Sequence, residues 1–277
     1  MTSIIKADAM EAASGTNTAL SLKGKGSGVV TIGDGNLQFP DADGTGGHFI
    51  KTDGSGVLSF AAAGGGLQST QIFTASGTYT PTAGTSRIKV TVIGGGGGGG
   101  GASATSYGGG AGGGGAGGCA IEVIESATFG ASQTVTIGAG GAAGAAGINP
   151  GSAGGTTSFG ALLSATGGGG GLGGPTNAGD LGGTGGAGSG GDINFGGMCG
   201  GFGILGATVT VGHQFGGKGG DSMFGAGGRN TKNTNNEAGQ VGVGFGCGGS
   251  GAAPGGTGTT RAGAAGNAGI VYVEEYA

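Results

Sequence analysis

Residues able to do chemistry are sparse in this 277-residue chain. There are two histidines, His48 and His213, and three cysteines, Cys119, Cys199 and Cys247. So few groups make no Ser-His-Asp order and no Cys-His spacing suited to a metal. The odd thiol count gives no disulfide framework. It reads as three small buried thiols among glycines, with one disulfide plus a free thiol as the alternative. Gly-x-Gly-x-x-Gly recurs, but with 85 glycines chance supplies it, and no Rossmann unit surrounds a match. Residues 216–224 fit one calcium-binding nonapeptide, a motif that works in tandem copies. Asp34, Asp41, Asp43 and Asp53 read as turn residues. The sequence therefore predicts no enzyme, no cofactor and no metal.

What remains is recognition chemistry. Residues 229–237, Arg-Asn-Thr-Lys-Asn-Thr-Asn-Asn-Glu, form the most polar stretch of the chain. Arg229, Lys232 and Asn233 are its candidate receptor contacts, against the plainer reading of a solvated loop. His213, in the mixed segment 204–215, is another candidate. Tyr107 stands alone within glycine, either as a stacking platform for a sugar or as a ring plugging a gap. Rigid scaffolds commonly carry recognition on such connections.

The scaffold is written in glycine. Gly138, Gly141, Gly144 and Gly147 keep a three-residue beat, as do Gly179, Gly182, Gly185, Gly188 and Gly191, Gly109, Gly112, Gly115 and Gly118, Gly197, Gly200, Gly203 and Gly206, and Gly263, Gly266 and Gly269. A helix needs a period of 3.6 and a strand a period of 2. Three belongs to the polyproline-II helix, with about 3.1 Å rise per residue. One glycine per turn leaves one ridge bare of side chains, and two per turn leave two. Bare ridges allow backbone-to-backbone packing, with N–H and C=O groups bonding between neighbouring helices.

Collagen is excluded by five prolines and a broken beat. Disorder is opposed by Val/Ile-rich segments, eleven Phe and a charged fraction of 9%. Ordering glycine opposes folding, at roughly 1–2 kcal/mol per residue. With no Trp and aromatics at 5%, side-chain burial is thin. Dense backbone hydrogen bonding must carry the fold, with oligomer contacts as a supplement. Net charge is −4 with no basic patch, which argues against nucleic acid. No apolar run approaches the length of about 20 residues that spans a bilayer, so no membrane insertion is expected. Met1–Asp8 lacks the apolar core of a secretory signal.

Two units are expected. In residues 1–66, short apolar segments alternate with Asp34-Gly35 and Asp53-Gly54, a hairpin signal. They are too sparse for a core of their own, so copies of the chain are expected to complete them. In residues 67–277 the strands are Ile72–Thr74, Thr78–Thr80, Arg87–Ile93, Ala120–Glu125, Gln133–Ile137 and the C-terminal Gly269–Tyr276. The last should pair with the early strands and bracket the glycine tracts. A repeat, Gly-Gly-x-x-x-Phe-Gly, begins at Gly154, Gly190 and Gly219. It marks Phe159, Phe195 and Phe224 as core anchors. The fold class is all-β: a small antiparallel β-sandwich with packed polyglycine-II helices, preceded by a short β-rich trimerising segment.

The segment Phe73-Thr74-Ala75-Ser76-Gly77-Thr78-Tyr79-Thr80-Pro81, then Arg87–Ile93 and a glycine run, resembles the opening of glycine-rich domains in tailed-phage fibre and adhesin proteins. Residues 266–276 are similar to the usual ending of those domains, and residues 47–60 resemble fibre-shaft repeats. The resemblance implies a virion protein, assembled in the host cytoplasm and then extracellular. It implies a homotrimer bound to other virion proteins through residues 1–66. Loops between polyglycine helices would contact a host glycan or outer-membrane protein. No fixed residue motif transfers. The rival readings are a purely structural head fibre or decoration protein, an ice-binding protein, and a cell-surface structural protein.

Overall fold

The structure, a computed structural model, describes residues 31–32, 37–38, 48–52, 57–62, 64–104, 109–174, 180–204, 214–256 and 258–277. The chain divides into two compact units, Met1–Gly66 and Leu67–Ala277. The described part of the first unit contains two antiparallel hairpins. Strand β1 (Thr31–Ile32) pairs with β2 (Leu37–Gln38), and β3 (His48–Thr52) with β4 (Leu58–Ala62).

Among its described residues the second unit is all-β in its regular structure, apart from one short helix and a 3₁₀ turn. Its first sheet runs β14 (Ile193–Phe195), β9 (Cys119–Glu125), β7 (Arg87–Ile93), β20 (Ile270–Tyr276), β5 (Leu67–Phe73). The C-terminal strand thus lies between two early strands, antiparallel to both. The second sheet runs β13 (Gly188–Ser189), β12 (Leu163–Ala165), β11 (Thr157–Phe159), β10 (Gln133–Thr136), β6 (Gly77–Tyr79). Period-2 alternation fills the space between the sheets. Ile88, Val90, Val92, Val271 and Val273 point in from the first sheet and Tyr79, Val135, Phe159 and Leu163 from the second. Phe129, at the end of the helix α1 (Ser126–Phe129), closes one side. Tyr79 stacks edge-on to Phe129 at 6.3 Å and tilted on Phe159 at 5.3 Å. Such aromatic pairs add roughly 0.5–1.5 kcal/mol beyond area burial.

Most of these strands do not end in turns at one side of the sandwich. They run on as extended threads. β7 continues as thread 94–101, and β9 is entered from thread 110–118. Further threads are 138–144, 149–155, 166–174, 181–187, 197–204, 216–220, 246–252 and 263–269. Their hydrogen bonds confirm the period of three. Gly94, Gly97 and Gly100 donate to Gly118, Gly115 and Gly112. Gly95, Gly98 and Gly101 donate to Gly155, Ser152 and Asn149, and Gly96 and Gly99 to Asn267 and Ala264. The carbonyls of the same thread accept in rotation from threads 138–144, 166–174 and 246–252. Thread 94–101 therefore has neighbours on six sides, and the neighbours bond to one another in a closed ring. Thread 110–118 is surrounded in the same way by 94–101, 166–174, 181–187, 197–204, 216–220 and 246–252.

Glycine content follows this surrounding. A Cβ built on any of Gly94 to Gly101 would meet a neighbouring carbonyl at 1.9–2.2 Å, so all three ridges of the central thread must be bare. In thread 181–187, on the bundle surface, Gly182 and Gly185 face one neighbour and Gly183 and Gly186 face two others. Leu181, in the remaining phase, is exposed. Thread 138–144 has Gly138, Gly141 and Gly144 against carbonyls of thread 149–155. Apart from Gly246, which opens thread 246–252 at φ 70°, the threads have none of the positive φ values that occur in the turns. Glycine is required there by close approach. The beat at Gly147 is different, because Gly147 is a turn residue at φ 102°.

The repeated phenylalanines do not share one role. All three copies of the repeat lie where a thread reaches the sandwich end, but only Phe159 is inside. Phe195 is 41% and Phe224 39% exposed. Phe195 stands on β14, the edge strand of the first sheet, and Phe224 lies in the turn between the bridged Ser222 and Gly225. The expectation of three core anchors is corrected accordingly. Phe195→Ala and Phe224→Ala should each change stability by less than about 1 kcal/mol in thermal unfolding. The cysteine expectation changes too. Cys119 and Cys247 are buried free thiols, but Cys199 is exposed, because only the 197/200/203 phase of its thread faces inward.

Candidate functional site

The bundle has two ends. At one, the threads pass into the sandwich. At the other, Gly101 bonds to Asn149 and Gly174, and Gly110 bonds to Ile204. Connections between threads gather at this far end and are laced by short pairings. β8 (Ala102–Ser103) pairs with β19 (Thr260–Arg261), and β15 (Phe215–Gly216) with β17 (Thr231–Lys232). Single bridges join Ala102 to Gly174 and Glu237 to Ala253.

The polar stretch 229–237 is part of this end, and Glu237 is its hub. Arg229 donates to Glu237 through both terminal nitrogens, at 3.1 and 3.2 Å. Asn235 Nδ2 donates at 3.0 Å and the Lys232 N–H at 3.1 Å. The Arg229 bond, with those of Asn235 and Lys232, holds the Glu237 carboxyl at about 2 against the opposing effect of burial. The chain then turns through a 3₁₀ segment, Asn233–Asn235, into Asn236 at φ 51°. Asparagine tolerates this left-handed conformation better than most residues. Asn236 is held on both sides: its Oδ1 accepts the Gly255 N–H and its carbonyl accepts Arg261 Nε, each at 2.9 Å. The loop is thus fixed by internal bonds before any partner arrives, which lowers the ordering cost of binding.

The expected contact residues divide. Arg229 is exposed and Lys232 half-buried on this loop. Asn233 is 7% exposed, and its Oδ1 accepts the Gln214 N–H at 3.2 Å. It fastens the loop to the bundle and does not face outward. The expectation for Asn233 is corrected: the 3₁₀ turn rotates it inward and presents Thr234 and Asn235 instead. Tyr107 and His213 lie outside the described residues. The signal for Asn235 and Glu237 was in the sequence, as an acid closing an Asn-rich stretch eight residues after an arginine. That spacing alone does not reveal which amides turn in.

Asp221 of the nonapeptide-like stretch is engaged by Lys218 Nζ and by the Gly227 N–H at 2.7 Å. Among the described residues, no group of three His, Cys, Asp or Glu side chains could hold a metal ion. No helix among them is long and apolar enough to cross a membrane.

A comparison with curated proteins finds no match. A family model described as a glycine-rich domain matches residues 70–276. Those limits fall inside β5, the first strand of the sandwich, and at the end of β20, the last. Sandwich and threads thus lie together within one family match, and the chain belongs to the glycine-rich domain family.

Proposed function

We propose that this chain is a tailed-phage fibre or adhesin subunit whose glycine-rich unit is a rigid head presenting loops to a host surface. The observation that carries the reading is the far end of the bundle, where connections between threads, including the internally braced 229–237 loop, gather away from the sandwich. A bundle in which each central amide is bonded to a neighbouring thread resists bending, and it places loops as a scaffold should. The likeness of residues 73–93 and 266–276 to phage fibre domains supplies the setting. In this reading residues 1–66 attach the head to the particle and draw three copies together. The head then contacts a glycan or an outer-membrane protein of the host.

The test is adsorption of purified protein to a panel of intact bacterial strains. Wild type should bind at least one strain and block adsorption of the cognate phage. Arg229→Ala/Lys232→Ala should weaken that binding about tenfold or more, the loss of about 1.4 kcal/mol or more, with unchanged thermal unfolding. Sedimentation should give three times the 25.0 kDa chain mass. Absence of binding to every strain would instead favour a purely structural particle protein.

A further inference from the structure

A groove lies beside the polar loop, on the flank of the bundle. Strand β16 (Gly225–Ala226) pairs with β18 (Val243–Gly244). Beyond Ala226 and Val243 the two segments stop bonding to each other. The Gly227 and Gly228 amides turn to Asp221 and Gly248, at 2.7 and 3.0 Å. Gln240 turns to Ser250, donating to its Oγ at 2.8 Å and accepting from its N–H at 3.1 Å. The two segments stay in backbone contact, since a Cβ on Gly242 would meet Ala226 O at 2.5 Å and one on Gly228 would meet Gln240 O, and an open groove of about 310 Å³ lies over them, lined by residues 226–227, Arg229 and 240–243. The Arg229–Glu237 pair crosses between the same two segments beyond Gln240.

The lining has three kinds of surface. Val241 and Val243, two residues apart, are 60% and 78% exposed and form an apolar wall. Gly227 and Gly242 contribute bare backbone. Arg229 and Gln240 contribute hydrogen-bonding heads. Arg229 spends its Nη1 protons on Asn230 O and Glu237 and one Nη2 proton on Glu237, which leaves Nε–H and one Nη2 proton. Gln240 gives Nε2–H to Ala238 O at 2.9 Å and retains its second proton and its carbonyl oxygen. The guanidinium is matched by a carboxylate at bonding distance, so the groove offers directed donors without net positive charge.

We propose that this groove binds a neutral saccharide. A sugar ring has one face of C–H groups, which suits the valine wall, and vicinal hydroxyls, which suit paired N–H donors and an amide oxygen. An anionic ligand would compete with Glu237 for the one cation, and a wholly apolar one would strand both polar heads. The volume is at the lower end of small-molecule sites and fits about one or two rings. The inference shares Arg229 with the loop proposed for host contact but does not require that reading.

The test is saturation-transfer NMR on the full chain with three neutral disaccharide probes built on glucose, galactose and mannose, and a uronic-acid disaccharide as the anionic comparison. Transfer to at least one neutral probe is expected, with shifts at the Val241 and Val243 methyls of the wild-type protein. Gln240→Ala and Val241→Asp should each reduce transfer fivefold or more, and the uronate should bind no better. Val243→Asp, at a still more exposed position, serves if Val241→Asp fails to fold. No transfer to any neutral probe, transfer that survives the variants, or preference for the uronate would overturn the proposal. Loss of cell binding in the loop variants with no sugar transfer would sink the groove alone. Sugar transfer without cell binding would sink the adhesin reading alone.

Discussion

Gly97→Ala should prevent the 67–277 unit from folding, or destabilise it by about 3 kcal/mol or more. The added Cβ would stand 2.0 Å from Gly169 O and 2.6 Å from Gly169 C. No rotamer relieves a Cβ, so one thread must move. Gly169 is poorly placed to do so. Its carbonyl accepts the Gly115 N–H at 2.9 Å and its amide donates to Thr184 at 2.7 Å. Displacing it therefore strains the second central thread and a peripheral one together. An opposing effect exists, since replacing Gly by Ala lowers the entropy of the unfolded chain and stabilises by roughly 0.4–1 kcal/mol. At Gly97 the clash outweighs that gain. At Gly77, where the nearest atom is Phe73 Cδ1 at 3.9 Å, the gain should prevail. Gly77→Ala should melt at or slightly above the wild-type temperature while Gly97→Ala is insoluble or melts far below it. Equal melting temperatures would mean that the threads are not packed as close as their hydrogen bonds require.

That contrast shows what could be read from the chain beforehand. The beat announces threads, because a bare ridge repeats where the geometry repeats. The alternation of Arg87–Ile93 announces a strand with Ile88, Val90 and Val92 inside. Neither signal states how many neighbours a thread will have. Eight successive glycines at 94–101 make sense only when six threads press on them, and that arrangement depends on pairings far apart in sequence, such as Gly96 with Asn267. Phe195 and Phe224 mislead for the same reason. Their local motif equals that of Phe159, but burial is decided by which sheet covers the strand, and β14 is an edge. On the candidate site, the polarity of 229–237 was legible and the inward turn of Asn233 was not, since it depends on Gln214 from another segment.

Glu275 is where side chains tie the sandwich together: Val271, Val273 and Glu275 share a phase of β20 and all three are fully buried. A buried carboxylate without a cation survives only if its oxygens are satisfied. Oε2 accepts from Ser69 Oγ and from Thr82 Oγ1 at 2.6 Å. Oε1 accepts from Tyr79 Oη at 2.8 Å, the Thr82 N–H at 3.0 Å and Gln71 Nε2 at 3.1 Å. Burial pushes this carboxyl up, but the donors, led by Ser69 and Thr82, hold it at about 2. The same burial and the neighbouring carboxylate push the Tyr79 phenol well above its ordinary range. Glu275→Ala strands the fully buried Tyr79 hydroxyl and the Thr82 amide and should cost about 3–5 kcal/mol. Glu275→Gln should cost less, about 1–2 kcal/mol, because the Ser69 and Thr82 hydroxyls can turn to accept from the new amide. The pH dependence separates charge from packing. A carboxyl depressed from 4.5 to about 2 stabilises the fold fully above its unfolded pKa, and the contribution fades as pH falls from about 5 towards 2. At about 1.4 kcal/mol per pH unit that fall amounts to about 3 kcal/mol. Denaturant unfolding should therefore find wild type the more stable at pH 7, its lead over Glu275→Gln narrowed at pH 4 and reversed at pH 2.5. Parallel curves would show that the carboxylate is not held ionised by its five donors and that the link between β5, β6 and β20 rests on shape alone.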